Sequence, residues 1–369
     1  MALSPLNQRR WRNFRANRRA YVSLIVFIVL YGTSLFAEFL ANDRPILVSY
    51  RGEYYSPVLR FYPDVAFGGE FRTEADYRSV EVQCLIHTGG QELCIFEPDT
   101  AMEEATTQGT VEGVPIVEGY LVWPLIPYSY STLNNLGRAA PSPPDGEHWL
   151  GTDGATRDVL ARVIYGFRLS VSFAFVVVAI SSVMGIAAGA IQGFFGGFTD
   201  LIFQRLIELW GSVPSLYVII IVAAIVPMNF WLLVVLMVMF SWTSLVGVVR
   251  AEFLRARNFE YVRAARALGV SNGRIMLRHV LPNAMVATLT LAPFIVTGAI
   301  GSLATLDYLG FGLPTTAPSL GELTLQARNH LQATWLGFSA FLTFAIMLSL
   351  LVFIFEGVRD AFDPRKTFR

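Results

Sequence analysis

The sequence predicts an all-α polytopic membrane protein with six transmembrane helices and an extracytoplasmic insertion containing some β structure. Composition is the first reason: 54% of the residues are hydrophobic, 13% aromatic and only 15% charged, with a mean hydropathy of +0.49, well outside the usual soluble range. Hydropathy patterning is the second, because the chain holds six apolar windows, each of about twenty residues, the length that crosses a hydrocarbon core of about 30 Å. Charge sorting is the third. The formal net charge is zero, yet residues 1–20 hold six arginines and no acid, whereas residues 41–166 hold eighteen acids against eight arginines.

The windows are 21–40, 169–191, 209–228, 230–249, 284–306 and 335–355. The first carries Glu38 near its end; the other five contain no charged residue. Window 21–40 is too long, and lacks the small-residue cleavage site, for a removable signal peptide, so it reads as a retained anchor. Arginine close to span ends is held on the cytoplasmic side. That rule makes 1–20 a basic cytoplasmic N-terminus and 41–166 extracytoplasmic. It puts 192–208 and 250–283 inside, together with the tail 360–369, which carries Arg365, Lys366 and Arg369. Both termini are then cytoplasmic, and 167–359 forms a five-helix core with a cytoplasmic loop at 250–283.

The insertion is long enough for a small folded module. "VQCLIHTGGQELCIF" alternates around Thr88-Gly89-Gly90, which predicts a β-hairpin. The only two cysteines, Cys84 and Cys94, fall on its arms. In an oxidising compartment they are candidates for a disulfide adding about 3 kcal/mol on the chain-entropy model; two unpaired core thiols are the alternative. "EPDTAMEEATTQGTVEG" and "GRAAPSPPDGEH" are acidic and Pro/Gly-rich, more like irregular loops than an enzyme core.

The chain shows no catalytic or metal-ligating constellation. His87, His148, His279 and His330 lie far apart, no His/Cys/carboxylate group has metal-ligand spacing, and neither G-x-S-x-G nor H-E-x-x-H occurs. The single lysine, Lys366, follows Arg365 where a phosphate-binding loop needs glycine, so a Walker A motif is excluded. Any ATP-derived energy must come from another chain. A secondary transporter usually places carboxylates or a histidine near mid-bilayer, and the five uncharged windows argue against that class. Nothing points to nucleic acid.

The stretch "EYVRAARALGVSNGRIMLRHVLPN", residues 260–283, interrupts this apolar pattern. Asn258 is placed to cap a helix over 259–268, with Tyr261, Val262, Ala265 and Leu268 on one side and Glu260, Arg263 and Arg266 on another. Gly269 fits the left-handed residue that ends a helix. Ser271 is placed to cap a second short helix through Arg278, and Pro282 lets the next span start afresh. Small side chains at Ala264, Ala265 and Ala267 leave room for another protein surface, and the arginines are available to acids on it. A basic helix lying on anionic lipid is the alternative.

This stretch resembles the EAA loop of ABC-importer permeases, whose pattern is E-A-A, three residues, Gly, nine residues, then I-x-L-P. The chain reads Arg263-Ala264-Ala265, three residues, Gly269, nine residues, His279-Val280-Leu281-Pro282. Arg263 stands for the first Glu and His279 for the Ile, and "RHVLPN" is how the peptide and nickel branch usually writes that end. "RNFRANRRAYVSLIVFIVL" is similar to the N-terminal region of the C-type subunit of dipeptide and oligopeptide importers. "HWLGTDGATRDVLARVIYGFRLS" resembles that subunit's G-T-D-x-x-G-R-D-V-L-S-R-x-x-Y-G-x-R signature, with Thr156 for Gly and Ala161 for Ser. The long insertion is most similar to the microcin C and peptide permease branch. The match runs over roughly residues 1–365.

The resemblance implies the type I ABC importer permease fold in a bacterial inner membrane, and ATP-driven import of peptides or peptide-like compounds. It implies Glu260, Arg263, Ala264, Ala265, Arg266, Gly269, His279 and Pro282 as ATPase-coupling residues. The implied partners are a homologous permease subunit, two ATP-binding subunits or one fused ATPase holding ATP and Mg, an extracytoplasmic peptide-binding protein, and membrane lipid. A nickel permease of the same family and a non-transport membrane scaffold are the alternatives; no span contains a histidine. Arg205 and Glu208, three residues apart, are candidates for a gate or subunit contact, against a snorkelling structural pair. Pro214 and Pro293 lie within spans as candidate kinks. Gly185 and Gly189 form a G-x-x-x-G face suited to close helix packing.

Overall fold

A computed structural model describes residues 5–362; the expected tail with Arg365, Lys366 and Arg369 lies outside the described residues. The chain folds as two compact units, one of Leu35–Tyr165 and one built from the residues up to Ser34 with those from Gly166 onward.

At the N-terminus α1 (Pro5–Ala16) carries the arginine cluster, and Asn17 separates it from the apolar α2 (Arg18–Leu35). The Asn17 carboxamide oxygen accepts from the Ala20 N–H at 3.3 Å, so a side chain takes over one of the unpaired donors at the start of α2.

In the insertion, α3 (Ala37–Leu40) precedes β1 (Leu47–Tyr50) and β2 (Glu53–Tyr55). Arg51 and Gly52 join these strands with φ of 50° and 80°, the paired positive values of the tight turn that matches strand twist. Three helices follow: α4 (Val80–Thr88), α5 (Leu93–Phe96) and α6 (Pro98–Gln108). The small ribbon β3 (Thr110–Val111) and β4 (Val114–Pro115) leads to β5 (Tyr120–Val122), which pairs antiparallel with β1 to give the sheet order β2-β1-β5.

The hairpin expected over 82–96 is therefore replaced by two helices. Val82, Leu85 and Ile86 are all buried, and their 3–4 spacing is helical, so the apparent alternation came from a short amphipathic helix. Ser79 Oγ caps α4 by accepting from the Val82 N–H at 3.2 Å. Gly89 and Gly90, expected as the hairpin turn, end α4 instead, with φ of 76° and 85° and a Gly90 N–H to Leu85 carbonyl bond of 2.7 Å. Cys84 and Cys94 are joined in a disulfide, both fully buried beside Leu85, Ala101 and Val111. A second core packs Val48 and Tyr50 of β1 against Phe67, Tyr77, Val82 and Ile86.

The remaining spans follow as α7 (Val159–Phe195), then α8 (Gly197–Gly211) and α9 (Ser215–Ile225). The window 209–228 is not one straight helix: α8 and α9 meet at 59°. Pro214 sits at that break as the residue before α9, with extended ψ of 107°, and so starts a helix rather than kinking one. Next come α10 (Phe230–Ser241) and α11 (Thr243–Ala256), which together make one apolar stretch, and the short α12 (Glu260–Ala267). The one-turn α13 (Asn272–Arg274) runs through a π-helical turn, Ile275–Val280, into α14 (Leu281–Tyr308). After α15 (Leu320–Asn329), α16 (Thr334–Phe362) closes the chain.

Close helix contacts fix this unit. A Cβ on Gly189 would lie 2.7 Å from the Val246 carbonyl oxygen and 2.9 Å from Val249 Cβ, and one on Gly193 would lie 2.5 Å from the Arg250 carbonyl oxygen. The glycine stripe of α7 thus lets α11 approach backbone to backbone. Asp200 of α8 and Arg250 of α11 make a bidentate pair at 2.5 and 2.6 Å, which ties the first half of the broken span to α11. Gly357 of α16 packs directly against Ala20 and Phe14 near the chain start.

Candidate functional site

Helix α12 is too short to be stable by itself, since isolated helices below about 12–15 residues are marginal in water. Its ends and its seat hold it. The expected cap, Asn258, does not serve; Phe259 precedes the helix with no side-chain bond, and its carbonyl accepts from Val262 and Arg263 N–H groups at 3.0 and 3.1 Å. The C-terminal end follows the expectation. Gly269 is left-handed at φ 78°, its N–H donates to the Arg266 carbonyl at 3.0 Å, and the Val270 N–H donates to the Ala265 carbonyl at 3.1 Å. These two bonds form a Schellman motif, with Val270 packing back toward Ala265.

The seat is one apolar cluster drawn from the ends of three long helices. Val262 and Ala265 pack with Ala190 and Phe194 of α7, with Val249, Phe253 and Ala256 of α11, and with Ile275, Val280 and Ala284 of the α13–α14 segment. The Arg266 guanidinium lies 4.8 Å over the Phe194 ring. Ala265 is 9% exposed, so it faces its own chain, contrary to the expectation that it leaves room for another protein. Tyr261 and Leu268 do not share the buried side either: they are 40% and 82% exposed. Helical geometry explains the correction, because a pair three residues apart defines the inner stripe. Glu260, Arg263, Ala264 and Ala267 then line the outer face, all exposed.

The second short helix expected from Ser271 to Arg278 does not stand apart, and Ser271 makes no side-chain cap bond. Pro282 lacks an N–H and its ring crowds the carbonyl four residues back. The preceding turn widens into the π-helix, the Asn283 carboxamide donates to the His279 carbonyl at 3.2 Å, and the helix continues instead of restarting. His279 is partly buried and Pro282 exposed. Among the described residues no carboxylate pairs with Arg263, Arg274 or Arg278. The loop therefore presents uncompensated positive charge around a small-residue face and exposed apolar side chains, Tyr261, Leu268 and Leu277 among them.

Arg205 and Glu208 do pair, at 2.5 Å, on α8 with side chains 75% and 55% exposed. An exposed pair of this kind contributes about 0–1 kcal/mol. Sequence reading missed a groove of about 500 Å³ among α9, α10 and α14, lined by Ser215, Ser241, Gly298, Gly301, Ser302 and Thr305 among other uncharged residues. Its signal, small and hydroxyl side chains on three separate segments, carries no motif. Among the described residues no group of three or more His, Cys, Asp or Glu side chains is placed to hold a metal.

The signature-like loop 151–162 is a buried polar knot. Asp153 accepts from the Ala155 and Arg157 N–H groups at 2.9 and 3.0 Å and from Arg157 Nε at 2.8 Å, and His148 Nδ1 meets Asp158 Oδ2 at 2.8 Å. Thr156, standing where the signature has Gly, has φ 62°. The backbone thus keeps a conformation suited to glycine although the side chain has changed.

Long apolar helices, one pair of them meeting at a sharp break, and a basic loop seated on the ends of three others define a helical multi-pass membrane protein. Residues 181–368 match the family of binding-protein-dependent transport system inner membrane components, and residues 4–57 match the N-terminal TM domain of oligopeptide transport permease C. The chain belongs to this family of inner membrane transport components. It is 50% identical to the peptidoglycan transport system permease protein YejE of Agrobacterium fabrum over 99% of this chain and 95% of that one. It is also 50% identical to the inner membrane ABC transporter permease protein YejE of Escherichia coli, over 99% and 98%. Identity to the oligopeptide transport system permease protein OppC of Bacillus subtilis is 33%, over 64% and 78%.

Proposed function

We infer that this chain is the permease subunit of an ATP-driven importer for peptides or peptide-like compounds, and that α12 couples ATP hydrolysis in partner subunits to the membrane path. The carrying observation is the seat of α12: one apolar cluster joins it to the ends of α7, α11 and α14. Packed interiors transmit displacement rather than absorb it, so a push on the outer face of α12 moves three spans together. The relatives' names support the substrate class.

ATP and Mg belong to the partner ATPase, whose acidic groups would meet Arg263, Arg274 and Arg278. The groove among α9, α10 and α14 is half of a path completed by a homologous permease, and its uncharged lining suits substrates of varied sequence. Arg205 and Glu208 are offered as a contact with that subunit. An extracytoplasmic binding protein delivers the substrate to the side holding residues 41–166, and both termini and the α12 loop lie in the cytoplasm, as the arginine distribution supports.

The test is ATP-driven uptake of short peptides by the complex reconstituted in vesicles. Uptake that needs this chain, the ATPase and hydrolysable ATP is expected. Assembly without uptake of any peptide, or uptake unaffected by omitting this chain, defeats the proposal.

A further inference from the structure

The insertion unit contains a polar cleft of about 620 Å³ whose walls come from three separate stretches: Asp43 and Arg44, residues 74–79 before α4, and residues 132–135 beyond β5. Small-molecule sites typically measure about 300–1,000 Å³, so the cleft has room for a compact ligand. Its charges are mixed and held in place. Asp43 Oδ2 accepts from the Ser129 and Thr132 hydroxyls at 3.3 and 2.7 Å. Arg44 is engaged by Glu74 at 2.6 Å.

Arg78 donates through Nη1 to Asn134 Oδ1 at 2.7 Å, and its guanidinium lies 4.6 Å over the Tyr128 ring. Asn134 is 7% exposed and is fixed in turn by Thr156: its N–H donates to Thr156 Oγ1 at 3.0 Å and its Nδ2 to the Thr156 carbonyl at 2.8 Å. Asp76, exposed on the rim, accepts from the Arg78 N–H through Oδ1 at 3.0 Å and leaves Oδ2 open.

A guanidinium already oriented by a ring and a buried amide loses little freedom on accepting a carboxylate, and fixed carboxylates do the same for an ammonium. Both signs within one cleft favour a ligand that carries both. We propose that this cleft binds a short zwitterionic peptide, its ammonium end at Asp43 and Asp76 and its carboxylate end at Arg78. The proposal rests on the peptide-import reading above and adds a substrate contact on this chain outside the spans.

The full chain in lipid nanodiscs is titrated by calorimetry with trialanine and with acetylated, amidated trialanine. Saturable binding of trialanine and none of the capped form is expected. Asp76→Asn keeps an oxygen for the Arg78 N–H and should weaken binding roughly tenfold by removing one charged contact. Arg78→Gln should abolish it, with thermal unfolding showing that each variant is folded. No saturable trialanine binding, equal binding of the capped form, or unchanged affinity in folded Asp76→Asn overturns the proposal. Capture of the extracytoplasmic binding protein through these residues, without trialanine binding, overturns it too and makes the cleft a docking surface. Peptide uptake by the assembled complex without trialanine binding removes the cleft and leaves the proposed function. Binding without any ATP-driven uptake does the reverse.

Discussion

Replacing Gly269 by Val should uncouple the transporter without unfolding it. A Cβ at Gly269 meets nothing within 4 Å, so steric clash contributes no cost. The cost lies in the backbone: φ is 78°, where a β-branched residue is a genuine outlier, and holding it there costs of order 1–3 kcal/mol. What opposes that strain is small. The Schellman bonds from Gly269 and Val270 contribute about 1 kcal/mol each, and burial of the Val262 side chain about 1.5–3 kcal/mol. Together these terms are worth about 3.5–5 kcal/mol, so the strain removes a large share of the seat, and each 1.4 kcal/mol of loss lowers the ratio of seated to unseated helix about tenfold. The assay is peptide uptake and ATPase activity of the reconstituted complex, with hydrogen exchange of residues 259–270 reporting the seat. Uptake should fall at least about fivefold while exchange of those amides rises. Gly273→Ala is the control: its site is also open, its φ is not positive, and it lies in helix, so it should leave both readouts unchanged. Normal uptake and unaltered exchange in Gly269→Val would refute the reasoning.

Leu268→Ser removes an 82% exposed side chain and should weaken ATPase association roughly fivefold or more, read by pull-down at graded concentrations, while the chain keeps its melting temperature. Ala265→Asp should lower that temperature as well, because its charge enters the chain's own cluster. Cys84→Ser with Cys94→Ser should destabilise the insertion by about 2–4 kcal/mol, and intact protein without reduction should show no free thiol by mass spectrometry. Gly189→Leu should prevent close approach of α7 and α11 and reduce the yield of folded protein, whereas Gly211→Leu, at an open site, should not. A Ser271→Cys variant in intact cells should resist an impermeant thiol reagent and react after permeabilisation; reaction in intact cells reverses the sidedness.

The apolar spans were legible from sequence because crossing a bilayer demands about twenty apolar residues in a row, a property a linear string displays. Gly269 was legible for a related reason: a helix end in the left-handed region is a local requirement that names its residue. The break between α8 and α9 was hidden, since the apolar window reads the same whether the chain bends by 59° or continues straight. Residues 82–96 have short alternation compatible with strand or helix, and only the burial of Val82 and Ile86 beneath the sheet chose helix. In α12 the sequence showed an amphipathic stretch, but which alanine faces inward was decided by what packs on it, and Ala265 is the one that joins the buried cluster containing Val249 and Phe253. The groove and the cleft lay furthest from sequence reading, because each joins three stretches distant along the chain. Local constraints of length, charge and backbone conformation are written residue by residue, whereas cavities and faces exist only once tertiary packing has chosen each residue's neighbours.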